Sequence, residues 1–155
     1  MEYTGFTRIA PIAPAVVAAL TAISKAVSDS GLDKALTELI KIRASQINGC
    51  AFCVQYHLNA ARKLSLSEVK LGPVAVWHEA NIFTARERTA LAWTEALTRV
   101  TPHGITDESY QDASKEFSES ELASLTAAIA SINAWNRIAM AYRFTPPIPQ
   151  DATQV

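Results

Sequence analysis

Residues Ile47 to His57 read INGCAFCVQYH. Asn48-Gly49 is a helix stop, because these residues tolerate the left-handed backbone that closes a helix. Ahead of it a helix runs from about Asp33 to Gln46. Behind it a new helix starts near Cys50 and runs to about Leu64. The stretch is therefore the break between two consecutive helices, and it sets the reading of the rest.

Working outward, no run shows sustained period-two alternation of Val, Ile or Thr, and Ala, Leu, Glu and Lys dominate. The chain is predicted to be all-α, with six to seven helices. Pro14 suits a first turn, and Ser28 to Gly31 ends that helix. Ser67 and Glu68 open a helix that ends near Trp77 to Asn81. Thr84-Ala-Arg-Glu87 is a capping box, and Thr101-Pro102 closes the helix it opens. Thr106 or Asp107 caps the next, with acidic residues in its first turn. Ser118 or Ser120 starts a long last helix to about Tyr142. The tail FTPPIPQDATQV cannot continue it and reads as a loose end or a packing arm. No repeat and no second domain stand out, so residues 1–155 are expected to form one domain.

The length is enough to bury a core without staples. Fourteen basic and fifteen acidic residues give a net charge of −1 with no basic stripe, which argues against nucleic-acid binding. Ile9 to Ile23 is apolar, but Glu2 precedes it, Arg8 is its one basic flank, and prolines interrupt it. Val16, Leu20, Ile23 and Val27 instead share one face of an amphipathic helix. No stretch is long and apolar enough to span a membrane. The expectation is a cytoplasmic protein, where a CxxC pair is more often catalytic or metal-binding than a permanent staple.

On a helix starting at Cys50, His57 is one turn past Cys53 and two turns past Cys50. Two sulfurs and one imidazole thus form one stripe. Free N–H groups and the helix dipole favour a thiolate in the first turn. The imidazole can accept a thiol proton, and two cysteines one turn apart can close a disulfide. The rival is zinc on Cys50, Cys53 and His57, with a fourth ligand from His78, His103 or a carboxylate. The usual second CxxC or histidine pair is missing. A third reading makes the cysteines small buried hydrophobes. The dipole favours Cys50 as the low-pKa thiol, and the His57 neighbour favours Cys53.

Glu38, eleven residues intervening, then Cys50-Ala-Phe-Cys53-Val-Gln-Tyr-His57 resembles the alkylhydroperoxidase AhpD-like core of the carboxymuconolactone decarboxylase superfamily. The flanks LIKIRASQINGCAFC, WHEANIFTARERTALAWTEALT and SINAWNRIAMAYR match as well, so the likeness covers about residues 32–144. It implies an all-α fold of antiparallel helical hairpins assembled as trimers or hexamers. It also implies a thiol peroxidase cycle for hydroperoxides. Cys53 would be the attacking thiolate and Cys50 the resolving thiol. His57 would relay the proton, with Glu38 as a more distant base or orienter. A dithiol reductant, lipoyl-bearing or thioredoxin-like, would reopen the disulfide, and no bound cofactor or metal is implied. The founding members carry a histidine between the cysteines, where this chain has Phe52. Decarboxylases of the superfamily lack the CxxC, which points away from lactone chemistry.

Outside the motif, Ser45 and Gln46 are placed to cap or orient it. Tyr56 could donate a hydrogen bond near the thiols or serve helix packing. Glu79 could reach the site or cap a helix. Trp77, Trp93 and Trp135 are expected in the core or an interface.

Overall fold

The structure is a computed structural model that describes residues 9–149. Glu2, Arg8 and the tail from Gln150 on, which entered the sequence reading, lie outside the described residues. Among the described residues there is no strand. Eight α-helices follow one another: α1 (Ile9–Ile12), α2 (Pro14–Asp29), α3 (Lys34–Asn48), α4 (Ala51–Lys63), α5 (Glu68–Leu71), α6 (Ala85–Thr98), α7 (Asp107–Glu116) and α8 (Glu119–Ala141), with a 3-10 helix (Gly72–Val76) after α5. The all-α expectation holds, with more helices than the six to seven expected.

The differences have local causes. The residue before a proline is pushed out of the α region. Ala13, ahead of Pro14, has φ −140° and separates α1 from α2. The helix expected from Ser67 to beyond Trp77 is four residues of α-helix and then the tighter 3-10 form. Pro73 sits in that stretch and has no N–H to give an α-helical bond. Elsewhere the caps act as read. Asp33 accepts from the Leu36 N–H at 2.7 Å and starts α3. Gly49 ends it at φ 72°. Thr84 and Ser118 form capping boxes on α6 and α8. Between the alternatives offered, Thr106 caps α7 and Ser118 caps α8.

Helix α3 is the centre. Nine of its residues, from Leu36 to Ser45, are buried, and it packs on α4, α6 and α8. Its sides feed three apolar clusters. Leu36 and Ile40 join Trp93, Phe117, Leu125 and Ile129. Leu39 and Ile42 join Leu71, Val74, Trp77 and Leu91. Ala44 joins both cysteines, Ile132, Ala139 and Phe144. With a helix buried on all sides, hydrophobic periodicity fades and length and caps carry the assignment.

Helix α2 behaves oppositely. Val27 is its buried residue, while Val16 and Ile23 are 50% and 40% exposed. The apolar face read from the sequence exists, but little of it is covered by this chain. The described part of the tail meets its own fold at Phe144 and Pro147, while Ile148 is 58% exposed. Phe144 is buried, and Asn59 Nδ2 donates to the Pro147 carbonyl at 2.8 Å.

Candidate active site

The turn between α3 and α4 sets the site. Gly49 in its left-handed conformation reverses the chain and makes Cys50 the N-cap of α4. The Cys53 N–H donates to Cys50 Sγ at 3.3 Å. A cysteine thus fills the place usually taken by serine or aspartate. The two sulfurs are joined as a disulfide across Cα atoms 5.4 Å apart. Both residues are buried, at 1% and 3% exposure.

This turn is tied to α8. Asn48 Nδ2 donates to Asn133 Oδ1 at 2.9 Å and to Asn136 Oδ1 at 2.8 Å. Asn136, fully buried, donates in turn to Ser45 Oγ at 3.0 Å. Ser45 therefore does help to orient the motif, by anchoring the end of α3. Asn48 and Asn136 were missed as anchors. Asn136 lies in the SINAWNR flank, and two asparagines three apart on an otherwise apolar helix face were the available signal.

Glu38 on α3 and His57 on α4 meet at 2.7 Å, Oε2 to Nδ1. Lys41, one turn on from Glu38, binds its other oxygen at 2.8 Å. Burial alone would raise the Glu38 carboxyl. The hydrogen bond and charge of His57, with the charge of Lys41, outweigh it and hold the group below the ordinary carboxylate value. An ionised carboxylate can only accept, so the Nδ1 of His57 carries the proton of this bond. In the neutral ring Nε2 is then left as the base. Lys41 is a further member that the sequence reading did not single out.

These groups border a cavity of about 530 Å³. Its wall is formed by Glu38 and Lys41 of α3, by Phe52, Cys53, Tyr56, His57 and Ala60 of α4, and by residues of α2 and α8, closed by Phe144. Cys53 lines it and Cys50 does not. Phe52 stands edge-on to Phe144 at 5.0 Å and stacks near Tyr56 at 5.9 Å. The position where founding members carry a histidine is here part of an apolar wall. Tyr56 reaches the cavity but is 54% exposed.

Other residues weighed from the sequence lie elsewhere. Glu79 is exposed on the turn after the 3-10 helix and does not line the cavity. His78 stacks on Trp77 at 3.6 Å, with Nε2 3.5 Å from Glu95. His103 is exposed in the α6–α7 loop. Among the described residues no three His, Cys, Asp or Glu side chains converge as a metal-ligand set. Trp77 and Trp93 are core residues, and Trp135 faces the cavity.

Comparison with known proteins follows the same lines. The family model for the carboxymuconolactone decarboxylase family matches residues 14–96. The uncharacterized protein YdfG of Bacillus subtilis (strain 168) is 34% identical over 130 residues, 84% of this chain and 88% of YdfG. The crystal structure of ATU0492 from Agrobacterium tumefaciens, a protein of unknown function named as a candidate antioxidant-defence protein AhpD, superposes with a TM-score of 0.86. It is 38% identical, over 90% of this chain and 96% of that one. The debrominase Bmp8 in complex with 2,3,4-tribromopyrrole shares the fold at a TM-score of 0.78 and 19% identity, over 87% of this chain and 72% of Bmp8.

Proposed function

The chain belongs to the carboxymuconolactone decarboxylase family as an AhpD-like member, and on that premise we propose that it is a thiol-dependent peroxidase that reduces hydroperoxides with Cys53 and Cys50. The observation that carries this reading is one constellation. A Cys50–Cys53 disulfide sits at a helix start, its second sulfur bordering a cavity, with a Glu38–His57 pair in the same wall.

The cycle balances with these residues alone plus a reductant. In the dithiol form His57 Nε2 takes the Cys53 proton. The thiolate attacks the outer peroxide oxygen and the O–O bond breaks. Cys53 becomes a sulfenic acid, and the departing alkoxide takes the proton back from His57 and leaves as alcohol. Cys50 gives its proton to the freed His57 Nε2 and attacks the Cys53 sulfur as a thiolate; the S–O bond breaks, and the departing hydroxide takes that proton and leaves as water. The resulting disulfide is the state seen here. A dithiol reductant, lipoyl-bearing or thioredoxin-like, returns both thiols by exchange. Glu38 keeps His57 in the useful tautomer, and Lys41 keeps Glu38 charged. The bordering of the cavity by Cys53 supports it over Cys50 as the attacking thiol. Its position three residues into α4 gives it a share of the dipole that first pointed to Cys50.

The test is peroxide consumption with a dithiol reductant such as dihydrolipoamide. Cys53→Ser is expected to abolish it. Cys50→Ser is expected to stop turnover while still forming one sulfenic acid per chain, trapped by dimedone. Full turnover in Cys53→Ser would overturn the assignment. About one zinc per chain in protein purified without chelator, with the thiols blocked to labelling, would favour the zinc-binding alternative.

A further inference from the structure

The Cys50–Cys53 disulfide is shut in, its two residues 1% and 3% exposed. A thiolate must reach one of the sulfurs to break the bond, so reduction needs an opening. The tail is the element placed to provide it. Phe144 belongs to the same buried apolar cluster as both cysteines, Ile132 and Ala139. Its ring stands edge-on at 5.0 Å to that of Phe52, which lies between the cysteines in sequence. The rest of the cavity wall comes from helices α2, α3, α4 and α8, whereas the tail after α8 has no helix to hold it. Arg143, at φ 51°, takes the left-handed place that glycine usually fills after a helix. That conformation costs an arginine what glycine would not lose. The turn is closed by Phe144 N–H donating to the Ala139 carbonyl at 2.9 Å and Arg143 N–H to the Met140 carbonyl at 3.2 Å. Beyond it, Pro146, Pro147 and Pro149 have no N–H to donate. Thr145 is exposed and Ile148 is 58% exposed. Asn59 of α4 latches the segment, its Nδ2 donating to the Pro147 carbonyl at 2.8 Å while its Oδ1 accepts from Gln55 at 2.9 Å.

We propose that residues 143–149 are a gate over the disulfide, with Arg143 as hinge, Phe144 as plug and Asn59 as latch. In the open form Pro147 leaves Asn59, Arg143 returns to a negative φ, and Phe144 swings off the cysteines. Segments with few buried contacts open at low free energy, well below that of global unfolding. The open gate admits a dithiol. One of its thiolates attacks the Cys53 sulfur, the S–S bond breaks, and Cys50 leaves as a thiolate. The second thiol of the reductant, losing its proton, attacks its own sulfur in the mixed disulfide and frees Cys53. The reductant ends as a disulfide, the two cysteines gain its two electrons, and its two protons pass to their thiolates. That a dithiol is the natural visitor rests on the peroxidase reading; the gate rests on the packing of Phe144 and the latch.

The test reads the disulfide itself, without peroxide. The full chain is oxidised with diamide, reduced by excess dithiothreitol, quenched in acid, and its thiols are counted by alkylation and mass. Asn59→Ala removes the latch from a half-buried position and is expected to speed reduction about three- to tenfold, the worth of one hydrogen bond in the opening equilibrium. Thr126→Val removes a bond elsewhere, that of Trp93 Nε1 to Thr126 Oγ1 at 3.0 Å, and is expected to leave the rate unchanged. Native-state hydrogen exchange of the Phe144 amide, which opening frees from Ala139, is expected to quicken in Asn59→Ala by the same factor as reduction. Reduction of Asn59→Ala at the unaltered rate overturns the gate. So does an equal acceleration in Thr126→Val, which would trace the effect to general loosening, or faster reduction with no change at the Phe144 amide. Absence of peroxide consumption would sink the peroxidase reading and leave these rates, and the gate, untouched.

Discussion

At His57 the two ring nitrogens are inequivalent: Nδ1 is on the Glu38 carboxylate at 2.7 Å, and Nε2 is the one proposed above to take the thiol proton. Replacing His57 by glutamine is expected to lower kcat/KM for hydroperoxides by about 10²- to 10⁴-fold, the usual worth of a positioned base. Stopped-flow oxidation of Cys53 would measure it. Glu38→Gln keeps an acceptor at the same place but removes the charge. It is expected to reduce the rate, because the His57 ring loses the charged partner that orients it. Glu38 also carries a stability prediction. Its carboxyl is held below the ordinary value of 4.5, despite the opposing effect of burial, by His57 and Lys41. Its contribution is therefore full above about pH 4.5 and is lost as the pH falls through the folded value. Glu95 adds to the same trend. Burial opposes, but Trp77, Arg43 and His78 lower its carboxyl. Denaturant unfolding across pH 3 to 7 should show a shallower acid loss in Glu38→Gln than in the unaltered chain. An identical slope would count against the pairing.

At the scale of elements, the α3–α4 turn and its tie to α8 carry the site. Gly49 has φ 72°, and a Cβ there would meet no atom within 4 Å. The cost of Gly49→Ala is thus conformational alone, about 1–2 kcal/mol. That should lower Tm by roughly 2–8 °C for a chain of this size, read by calorimetry. Asn136→Ala is expected to cost about 1–3 kcal/mol, because Asn48 and Ser45 each lose a buried partner. A variant that melts like the unaltered chain would show the asparagine network to be dispensable. Much of this element level was legible. Asn48-Gly49, the Thr84 capping box and the choice of helices need only neighbours in sequence. Helix α5 and its 3-10 continuation were not, because Pro73 acts against a run of helix formers and the outcome depends on how Val74 and Trp77 pack beneath α3.

At the scale of the whole molecule, α2 carries an apolar face of which, among its described residues, Val27 alone is buried. Val16 and Ile23, seven residues apart on one face of α2, are 50% and 40% exposed, and Ile12 on α1 is 64% exposed. Apolar residues gathered in this way mark association surfaces. We propose self-association through this face, in line with the trimers or hexamers expected from the sequence. Light scattering at micromolar concentration should find an oligomer, and Ile23→Glu, by burying a charge, should shift it toward smaller species. A monomer in the unaltered chain would contradict the proposal. Among the described residues no helix is long and apolar enough to cross a membrane.

The sequence by itself determined most of the helices, the turn at Asn48-Gly49 and the stripe of Cys50, Cys53 and His57, because these follow from spacing along one chain segment. Glu38 was found through a resemblance and not through periodicity, since a glutamate on a helix carries no mark of what it faces. Only the tertiary structure decided that Glu38 meets His57 from the neighbouring helix and that Lys41 holds its second oxygen. It also decided that Cys53 rather than Cys50 borders the cavity, and that Phe52 packs on Phe144. It placed His78 on Trp77 and beside Glu95, and left Glu79, for which the sequence offered the site or a helix cap, exposed and off the cavity. Each of these is a relation between helices. Its distance is set by how side chains fill the space around α3, a quantity that no single stretch of sequence contains.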